Sequence, residues 1–204
     1  MADSDFSALD PARAPDAPIE LFRHWFADAR TAVHDASAMT LSVVDAEGRP
    51  SSRQVLLKEA NEAGFVFFTN YQSRKAQALA ANPRASLLFW WDKQGRQVRI
   101  EGSVEKVSAQ ESDAYFASRP RESQLGAWAS PQSQEIASRQ ELLAAFARIE
   151  QQYAGQAVPR PPHWGGYRVI PERVEFWQAG DHRLHDRVLY LRAGDAWHKH
   201  RLAP

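Results

Sequence analysis

Hydrophobic and polar residues follow patterns that divide this chain into short elements. Apolar residues recur at helical spacing over 19–34, which predicts an amphipathic helix. The period then changes to two, and this alternation predicts strands over 39–43 and 52–58, joined by a glycine-containing turn at 45–49. The first ordered unit is therefore a helix followed by a β-hairpin.

Continuous apolar runs indicate the next strands. GFVFFT at 64–69 and ASLLFWW at 85–91 have strand length and no polar face, so both are predicted to be buried on two sides. Between them, a short helix over 73–81 is predicted to end before an Asn-Pro pair. Alternation over 97–107 predicts a further strand of the same sheet.

Two more helices are predicted from capping boxes, in which a serine is followed three residues later by a glutamate. The pair at 108–111 begins a helix that we expect to end near Ser118, ahead of Pro120. The pair at 138–141 begins a second helix, whose apolar stripe continues to Tyr153.

The C-terminal part returns to strand patterns. Residues 164–190 predict a strand, a turn, a strand, a polar loop and another strand, and 196–202 predicts one more. Strands in hairpin order with helices at the margins favour an α+β fold, built on an antiparallel barrel or half-barrel rather than on βαβ units. We expect 18–204 to form a single domain and 1–17, rich in Ala, Asp and Pro, to be a flexible arm.

Composition narrows the class of protein. The chain has 204 residues, 44% hydrophobic and 25% charged, which is typical of a globular protein with one sizeable core. Its 25 basic and 25 acidic residues balance, so neither a nucleic-acid binder nor a membrane-surface binder is expected. Cysteine is absent, which excludes disulfides and thiolate chemistry. No apolar stretch resembles a signal peptide or a membrane span, so a cytoplasmic location is expected.

Three alternating cations near the C-terminus provide the first candidate chemistry. Arg183, His185 and Arg187 would share one face of an extended chain and favour an anionic or electron-rich partner. Spacing alone favours a plainer interpretation, an exposed edge strand whose charges prevent aggregation. The nearby Trp177 and the glycine pair at 165–166, which allows close approach to the backbone, support a binding role.

The helix predicted over 73–81 begins with a second candidate. Arg74 and Lys75 lie in its first turn, where the helix dipole disfavours cations. A phosphate placed there would meet free backbone N–H groups and both side chains. The alternative is that the two side chains simply extend into water.

Other polar residues are weaker candidates by themselves. Arg119 and Arg121 flank a proline ahead of Ser123, which could form a second anion site. Arg53 and Lys58 are five residues apart, so a regular strand would turn them to opposite faces. The histidines form no HExxH pattern, and no metal site is predicted. No phosphate-binding glycine motif or nucleophile elbow is present, so a Rossmann domain is not expected.

A series of short motifs carries a resemblance to a known family. They are RQVLLK at 53–58, FFTNYQSRK at 67–75, NPRASLLFWW at 82–91, RQVRIEG at 96–102, SRPRESQLGAWAS at 118–130, WGGYRV at 164–169, EFWQ at 175–178, RLHDR at 183–187 and RLAP at 201–204. In series they resemble the pyridoxine/pyridoxamine 5'-phosphate oxidases, from about Pro18 to the last residue. The resemblance implies a homodimeric split β-barrel with FMN bound at the subunit interface.

The resemblance also implies roles for individual residues. FMN binding is implied for Arg53, Gln54, Val55, Leu56, Leu57, Lys58, Phe68, Thr69, Arg74, Lys75, Gln97, Gln132, Ser133, Trp177 and Arg187. Substrate binding is implied for Lys58, Tyr115, Arg119, Ser123, Arg183, Leu184 and His185. Arg183 and His185 are the implied catalytic residues, beside the pyridine ring of the substrate.

The implied activity is oxidation of pyridoxamine 5'-phosphate and pyridoxine 5'-phosphate to pyridoxal 5'-phosphate, with O2 as electron acceptor and H2O2 as product. Two other functions stay open. One is a flavin oxidase or reductase of the same group, such as a phenazine-pathway relative, and the other is a protein that stores or senses FMN or pyridoxal phosphate. The family often has a substrate-covering segment with Arg and Tyr before the first helix, whereas 1–17 offer only Arg13 as a cation.

Overall fold

A computed structural model describes residues 9–204 of the chain. The helices in this range are α1 (Pro18–Ala32), α2 (Arg74–Ala81), α3 (Ala109–Ser118), α4 (Arg121–Ala129) and α5 (Arg139–Gln152). The strands are β1 (Ala38–Val44), β2 (Pro50–Leu56), β3 (Glu59–Asn61), β4 (Gly64–Asn70), β5 (Arg84–Trp91), β6 (Arg96–Lys106), β7 (Trp164–Gln178), β8 (Asp186–Ala193) and β9 (Ala196–Arg201). None of these helices is long and apolar enough to cross a membrane.

The sheet is antiparallel throughout and is organised around β7. One edge of β7 pairs with β6 along 167–178. The other edge pairs first with β4, over 164–169, and then with β8, over 173–178. The main strand order is β2-β1-β5-β6-β7-β4-β3, and β8 and β9 form a hairpin on the second half of β7. The predicted α+β split half-barrel is therefore confirmed.

A β-bulge lies where the partners of β7 change. Gly102 pairs with Pro171, and the register then shifts so that Glu172 is the extra residue on β7. A Cβ atom on Gly102 would collide with the carbonyl oxygen of Ile170, so this close approach requires glycine. A bulge also accommodates a proline, which cannot donate to the ladder. The turn predicted inside 164–190 is therefore wrong, because β7 continues through the bulge as one strand.

The apolar stripe of α1 covers the main core. Phe22 packs edge-on against Phe65 and Phe89, with ring centroids 4.9 and 5.2 Å away, and Trp25 packs 5.2 Å from Phe176. A second, smaller core joins α3 and α4 to the start of β7. Its buried members are Phe116, Leu125, Val158 and Trp164.

The N-terminal segment packs on the barrel further upstream than predicted. Leu9 and Ala14 are buried in the main core. The side chain of Tyr190 donates to the carbonyl of Pro15 (2.9 Å), and Lys199 donates to that of Ala14 (2.8 Å). The prediction of a flexible arm is therefore wrong for residues 9–17, because apolar burial and two long-range hydrogen bonds attach this segment to the barrel. The rest of the predicted arm lies outside the described residues.

Strand β5 is buried on one face, whereas β4 is buried almost throughout. The prediction of two buried faces is thus wrong for β5. Its outward side chains are partly or fully exposed, and Trp90 is 53% exposed. Helix α4 and the short strand β3 were not predicted from the sequence.

A compact turn precedes β8 where the sequence predicts a strand. The backbone N–H of Leu184 donates to the carbonyl of Asp181 (2.9 Å), and Arg183 has a left-handed φ of 64°. Because β8 begins just after His185, only Arg187 of the three alternating cations lies in a strand. The prediction that they share one strand face is wrong, since the turn interrupts the two-residue period.

Candidate active site

A cavity of about 690 Å³ lies among β2, β4, α3 and α4. Implied site residues that line it are Gln54, Val55, Leu56, Lys58, Phe68, Thr69, Lys75, Tyr115, Arg119, Ser123 and Gln132. Leu57 instead has its side chain in the main core. The cavity thus brings residues implied for the cofactor next to residues implied for the substrate.

Lys75 is held in the cavity wall by neutral oxygen atoms. Its ammonium group donates to Oε1 of Gln132 (2.7 Å), Oγ1 of Thr69 (3.0 Å) and Oγ of Ser73 (3.2 Å). Burial, together with the positive charge of Arg53, lowers the pKa of Lys75 to about 8. A buried ammonium group with neutral hydrogen-bond acceptors is well suited to an additional, anionic partner.

Arg53 and Arg74 extend this positive region. Burial and then the charge of Arg74 lower the pKa of Arg53, so the two cations are close enough to repel. Arg53 donates to the carbonyl (3.0 Å) and the hydroxyl (2.8 Å) of Ser51, which orient its guanidinium. Arg74 and Ser133 line a neighbouring cavity of about 440 Å³, and Ser133 has a left-handed φ of 71°. We call Arg53, Arg74 and Lys75 the α2 cation cluster.

Arg119 forms a second cationic centre. Its guanidinium lies over the rings of Trp164 and Phe116, with Cζ 4.7 and 5.6 Å from their centroids. The Nη1 atom is buried and has no hydrogen-bond partner among the residues that the structure describes. Burial lowers the pKa of Arg119. Because an unpaired buried guanidinium N–H is costly, this geometry fits a bound anion.

Arg121 does not join this centre, although the sequence places it two residues from Arg119. Its guanidinium donates to the carbonyls of Gln156 (2.8 Å) and Tyr153 (2.6 Å) beyond the end of α5. Ser123, in the first turn of α4, lines the cavity with Arg119. Of the three residues predicted to form a second anion site, Arg119 and Ser123 therefore line the cavity together. Arg121 instead links α4 to the segment that follows α5.

An aromatic stack forms one wall of the cavity. The ring of Phe68 stacks on Tyr115 at 4.1 Å and on Trp164 at 5.3 Å. Lys58 Nζ lies 5.9 Å from the centre of the Tyr115 ring. A Cβ atom on Gly166 would collide with the Phe68 ring. The close approach to the backbone predicted at the glycine pair is therefore confirmed, and the Phe68 side chain is one of the groups that make it.

The other implied site residues form a separate row across the sheet. Gln97 pairs with Trp177 between β6 and β7, and Trp177 pairs with Arg187 between β7 and β8. The His185 ring lies 4.5 Å from that of Trp177. The turn before β8 adds Arg183 and Leu184, both exposed. We call these six residues the β7–β8 row.

One chain does not bring the cavity and the β7–β8 row together. Trp164 lines the cavity and Trp177 belongs to the row. Both lie on β7, about 40 Å apart along the strand at ~3.3 Å per residue. No member of the row lines the cavity.

Sequence reasoning missed two features of this site. Helix α4 carries Ser123, and its start was signalled by Pro120 and by an acid, Glu122, in the first turn. Trp164 supports Arg119, but no local pattern distinguishes an aromatic residue of this kind from an ordinary core residue.

Comparison with known proteins identifies the family. Residues 27–153 match the family described as pyridoxamine 5'-phosphate oxidase, and residues 164–204 match the pyridoxine 5'-phosphate oxidase C-terminal dimerisation region. The chain belongs to the pyridoxine/pyridoxamine 5'-phosphate oxidase family. An oxidase of this name from Thermosynechococcus vestitus is 57% identical over 192 residues, covering 94% of this chain and 90% of the relative. One from Pseudomonas syringae pv. syringae is 55% identical over 199 residues, covering 96% and 93%.

Solved structures agree with this membership. PhzG from Burkholderia lata, crystallised with tetrahydrophenazine-1-carboxylic acid, is 34% identical with a TM-score of 0.91, covering 97% of this chain and 98% of PhzG. A pyridoxamine 5'-phosphate oxidase-related, FMN-binding protein from Nostoc punctiforme has a TM-score of 0.76 at 18% identity, over 94% of this chain and 100% of that one, and supports the fold alone. The matched dimerisation region contains β7, β8 and β9, which supports a homodimer.

Proposed function

We propose that this oxidase converts pyridoxamine 5'-phosphate and pyridoxine 5'-phosphate to pyridoxal 5'-phosphate, with FMN as cofactor and O2 as electron acceptor. The observation that carries the proposal is a pair of cationic centres that meet at one cavity: Lys75, from the α2 cation cluster, and Arg119 both line it, and Arg74 lines the neighbouring cavity. Two centres suit two phosphates, one on the cofactor and one on the substrate. The names of the relatives support the same activity.

The α2 cation cluster fits the phosphate of FMN. Arg53, Arg74 and Lys75, with Ser133, would bind the phosphate, and Lys75 already has neutral hydrogen-bond partners that orient it. Segment 54–58 with Phe68, Thr69 and Gln132 would line the rest of the cofactor. The cofactor would supply the redox chemistry for oxidation of the substrate at C4′, with O2 as the final electron acceptor and H2O2 as the product.

Arg119, Ser123, Tyr115 and Lys58 would bind the phosphate of the substrate. The ring of Trp164 holds the Arg119 guanidinium with Nη1 facing away from water. A phosphate fixed at this point limits the motion of the pyridine ring, so its reactive carbon can be held against the cofactor. For the amine substrate, hydrolysis of the oxidised product then releases ammonia.

We further propose that the β7–β8 row of a second copy completes the site. The row lies far from the cavity along β7 of one chain, and the family's dimerisation region contains the row's strands. Gln97, Trp177 and Arg187 would contact the flavin, where Arg187 would stabilise negative charge on the reduced ring. Arg183 and His185 would lie beside the substrate ring and orient it.

An oxidase assay tests this function. Protein reconstituted with FMN should bind about one FMN per chain and form pyridoxal 5'-phosphate and H2O2 in air from each substrate. Protein that binds FMN without forming either product would favour storage. Oxidation of a reduced phenazine carboxylate in preference to both vitamers would favour the activity suggested by the likeness to PhzG.

A further inference from the structure

Glu175 is a buried carboxylate between two arginines. It lies on β7 and is 2% exposed. Its Oε1 atom accepts hydrogen bonds from Nε (2.9 Å) and Nη2 (2.8 Å) of Arg187. Nη1 of Arg99 lies 3.5 Å from Oε2, which is buried and has no hydrogen-bond partner among the described residues. The proposed function gives this carboxylate no role.

The opposite side of the Arg187 guanidinium is also fixed. Its Nη1 atom donates to the carbonyl of Ala203 (2.7 Å). A guanidinium has five N–H groups, and these contacts with Glu175 and Ala203 use three. One N–H remains on each terminal nitrogen, and each can donate to an electron-rich atom.

Such fixing matters because arginine has many rotamers. An unrestrained guanidinium loses side-chain entropy when it binds, whereas one already held in place loses little. Glu175 also offsets much of the positive charge of Arg187 at a short distance. A buried carboxylate at this position therefore affects both the direction of the free N–H groups and the charge beside them.

We propose that Glu175 is a positioning residue, which holds Arg187 so that its free N–H groups face the ring of the flavin. The inference rests on the proposed function, in which Arg187 contacts FMN. Glu175 itself acts through Arg187 and does not touch the cofactor.

A double-mutant cycle on FMN affinity tests this role. Apoproteins carrying Glu175→Leu, Arg187→Ala or both are titrated with FMN, and quenching of flavin fluorescence gives Kd. Each single change should weaken binding by about tenfold or more, since each removes an oriented charged contact. The double variant should bind no more weakly than Arg187→Ala alone, because Glu175 has no effect once Arg187 is absent.

Two conservative variants separate positioning from general stability. Glu175→Gln keeps a hydrogen-bond acceptor for Arg187, so the Kd of this variant for FMN should stay within about threefold of wild type. The midpoint potential of the bound FMN should become more positive, because a negative charge near the cofactor is lost. Glu172→Gln is the matched control. Glu172 also lies on β7 but pairs with Arg84, which is not one of the two arginines beside Glu175, so its loss should change neither quantity.

The outcomes distinguish the inference from the proposed function. Losses in Glu175→Leu and Arg187→Ala that multiply in the double variant overturn the positioning role, as does an unchanged Kd in either single variant. In those cases binding of FMN by the wild-type protein still supports the proposed cofactor and activity, although an unchanged Kd in Arg187→Ala would remove Arg187 from the proposed flavin contacts. A folded wild-type protein that binds no FMN overturns both. Thermal unfolding of each variant establishes that it is folded before titration.

Discussion

Lys75 carries a charged group into a buried position where its partners are neutral. We expect FMN to bind less tightly as pH rises through about 8, the pKa of Lys75 without cofactor. A bound phosphate would raise this pKa, since an opposite charge favours the protonated amine. Binding therefore takes up a proton, and Kd should increase by up to about tenfold per pH unit above that value. Titration of the apoprotein between about pH 7 and 9 measures this slope.

Lys75→Arg provides the control for this pH dependence. Arginine stays protonated over the whole range, so the variant should retain FMN binding and lose the pH-dependent step. Wild-type affinity that is constant between about pH 7 and 9 would contradict the role of Lys75.

Arg119 and Arg121 form a matched pair of neighbouring arginines with different surroundings. We expect Arg119→Ala to raise KM for pyridoxine 5'-phosphate by about ten- to a hundredfold, because hydrogen bonds to a charged group contribute ~1.5 to 3 kcal/mol. FMN content should not change. Steady-state kinetics on the FMN-saturated variant measure the effect.

Arg121→Ala should instead leave KM unchanged and lower the free energy of unfolding by about 1 kcal/mol. Its guanidinium donates to the carbonyls of Tyr153 and Gln156 and not into the cavity. Equal increases in KM for the two variants would contradict the assignment of Arg119 to the substrate phosphate.

At the scale of elements, the bulge between β6 and β7 decides the shape of the sheet. Gly102→Ala should lower the free energy of unfolding by about 2 kcal/mol or more, because the new methyl group meets the backbone of Ile170, which cannot move aside alone. Gly126→Ala is the control. A Cβ atom on Gly126, in α4, would meet open space, so alanine there should stabilise the protein by ~0.5 to 1 kcal/mol. Urea unfolding measures both, and similar stabilities would contradict the constraint.

At the scale of the whole molecule, a site shared between two copies predicts complementation. Arg119→Ala changes the cavity, and Arg183→Ala changes the β7–β8 row. In a hybrid dimer one site receives both changes and the other receives neither. At a substrate concentration well below KM, where each variant alone should have little activity, co-expression of the two variants should therefore restore about a quarter of wild-type activity, since half of randomly assorted dimers are hybrids.

Light scattering on the same samples should give a dimer. A mixture that is no more active than its parents, although tagged subunits co-purify, would show that each chain uses its own row. An active, flavin-loaded monomer would contradict the shared site directly.

The sequence by itself determined the order and type of most elements. A helical or two-residue period is a property of neighbouring residues, and the capping box at 108–111 was predicted and is present, with Ser108 and Glu111 exchanging hydrogen bonds of 3.1 and 3.0 Å. The cationic segments were also visible. The residues next to each cationic segment, however, do not specify which of these segments lie together in the folded protein.

Only the tertiary structure decided the contacts between distant residues. Pro171 continues a strand because Gly102 lies opposite it, and one face of β5 is left open by its place in the sheet. Lys75 donates to Gln132, and Arg121 donates to a carbonyl beyond α5 while Arg119 faces the cavity. These contacts join residues far apart in the chain, so no local hydrophobic period predicts them. The physical reason is that burial and pairing depend on which surfaces come together when the chain closes on itself, and that information lies in the complete set of long-range contacts.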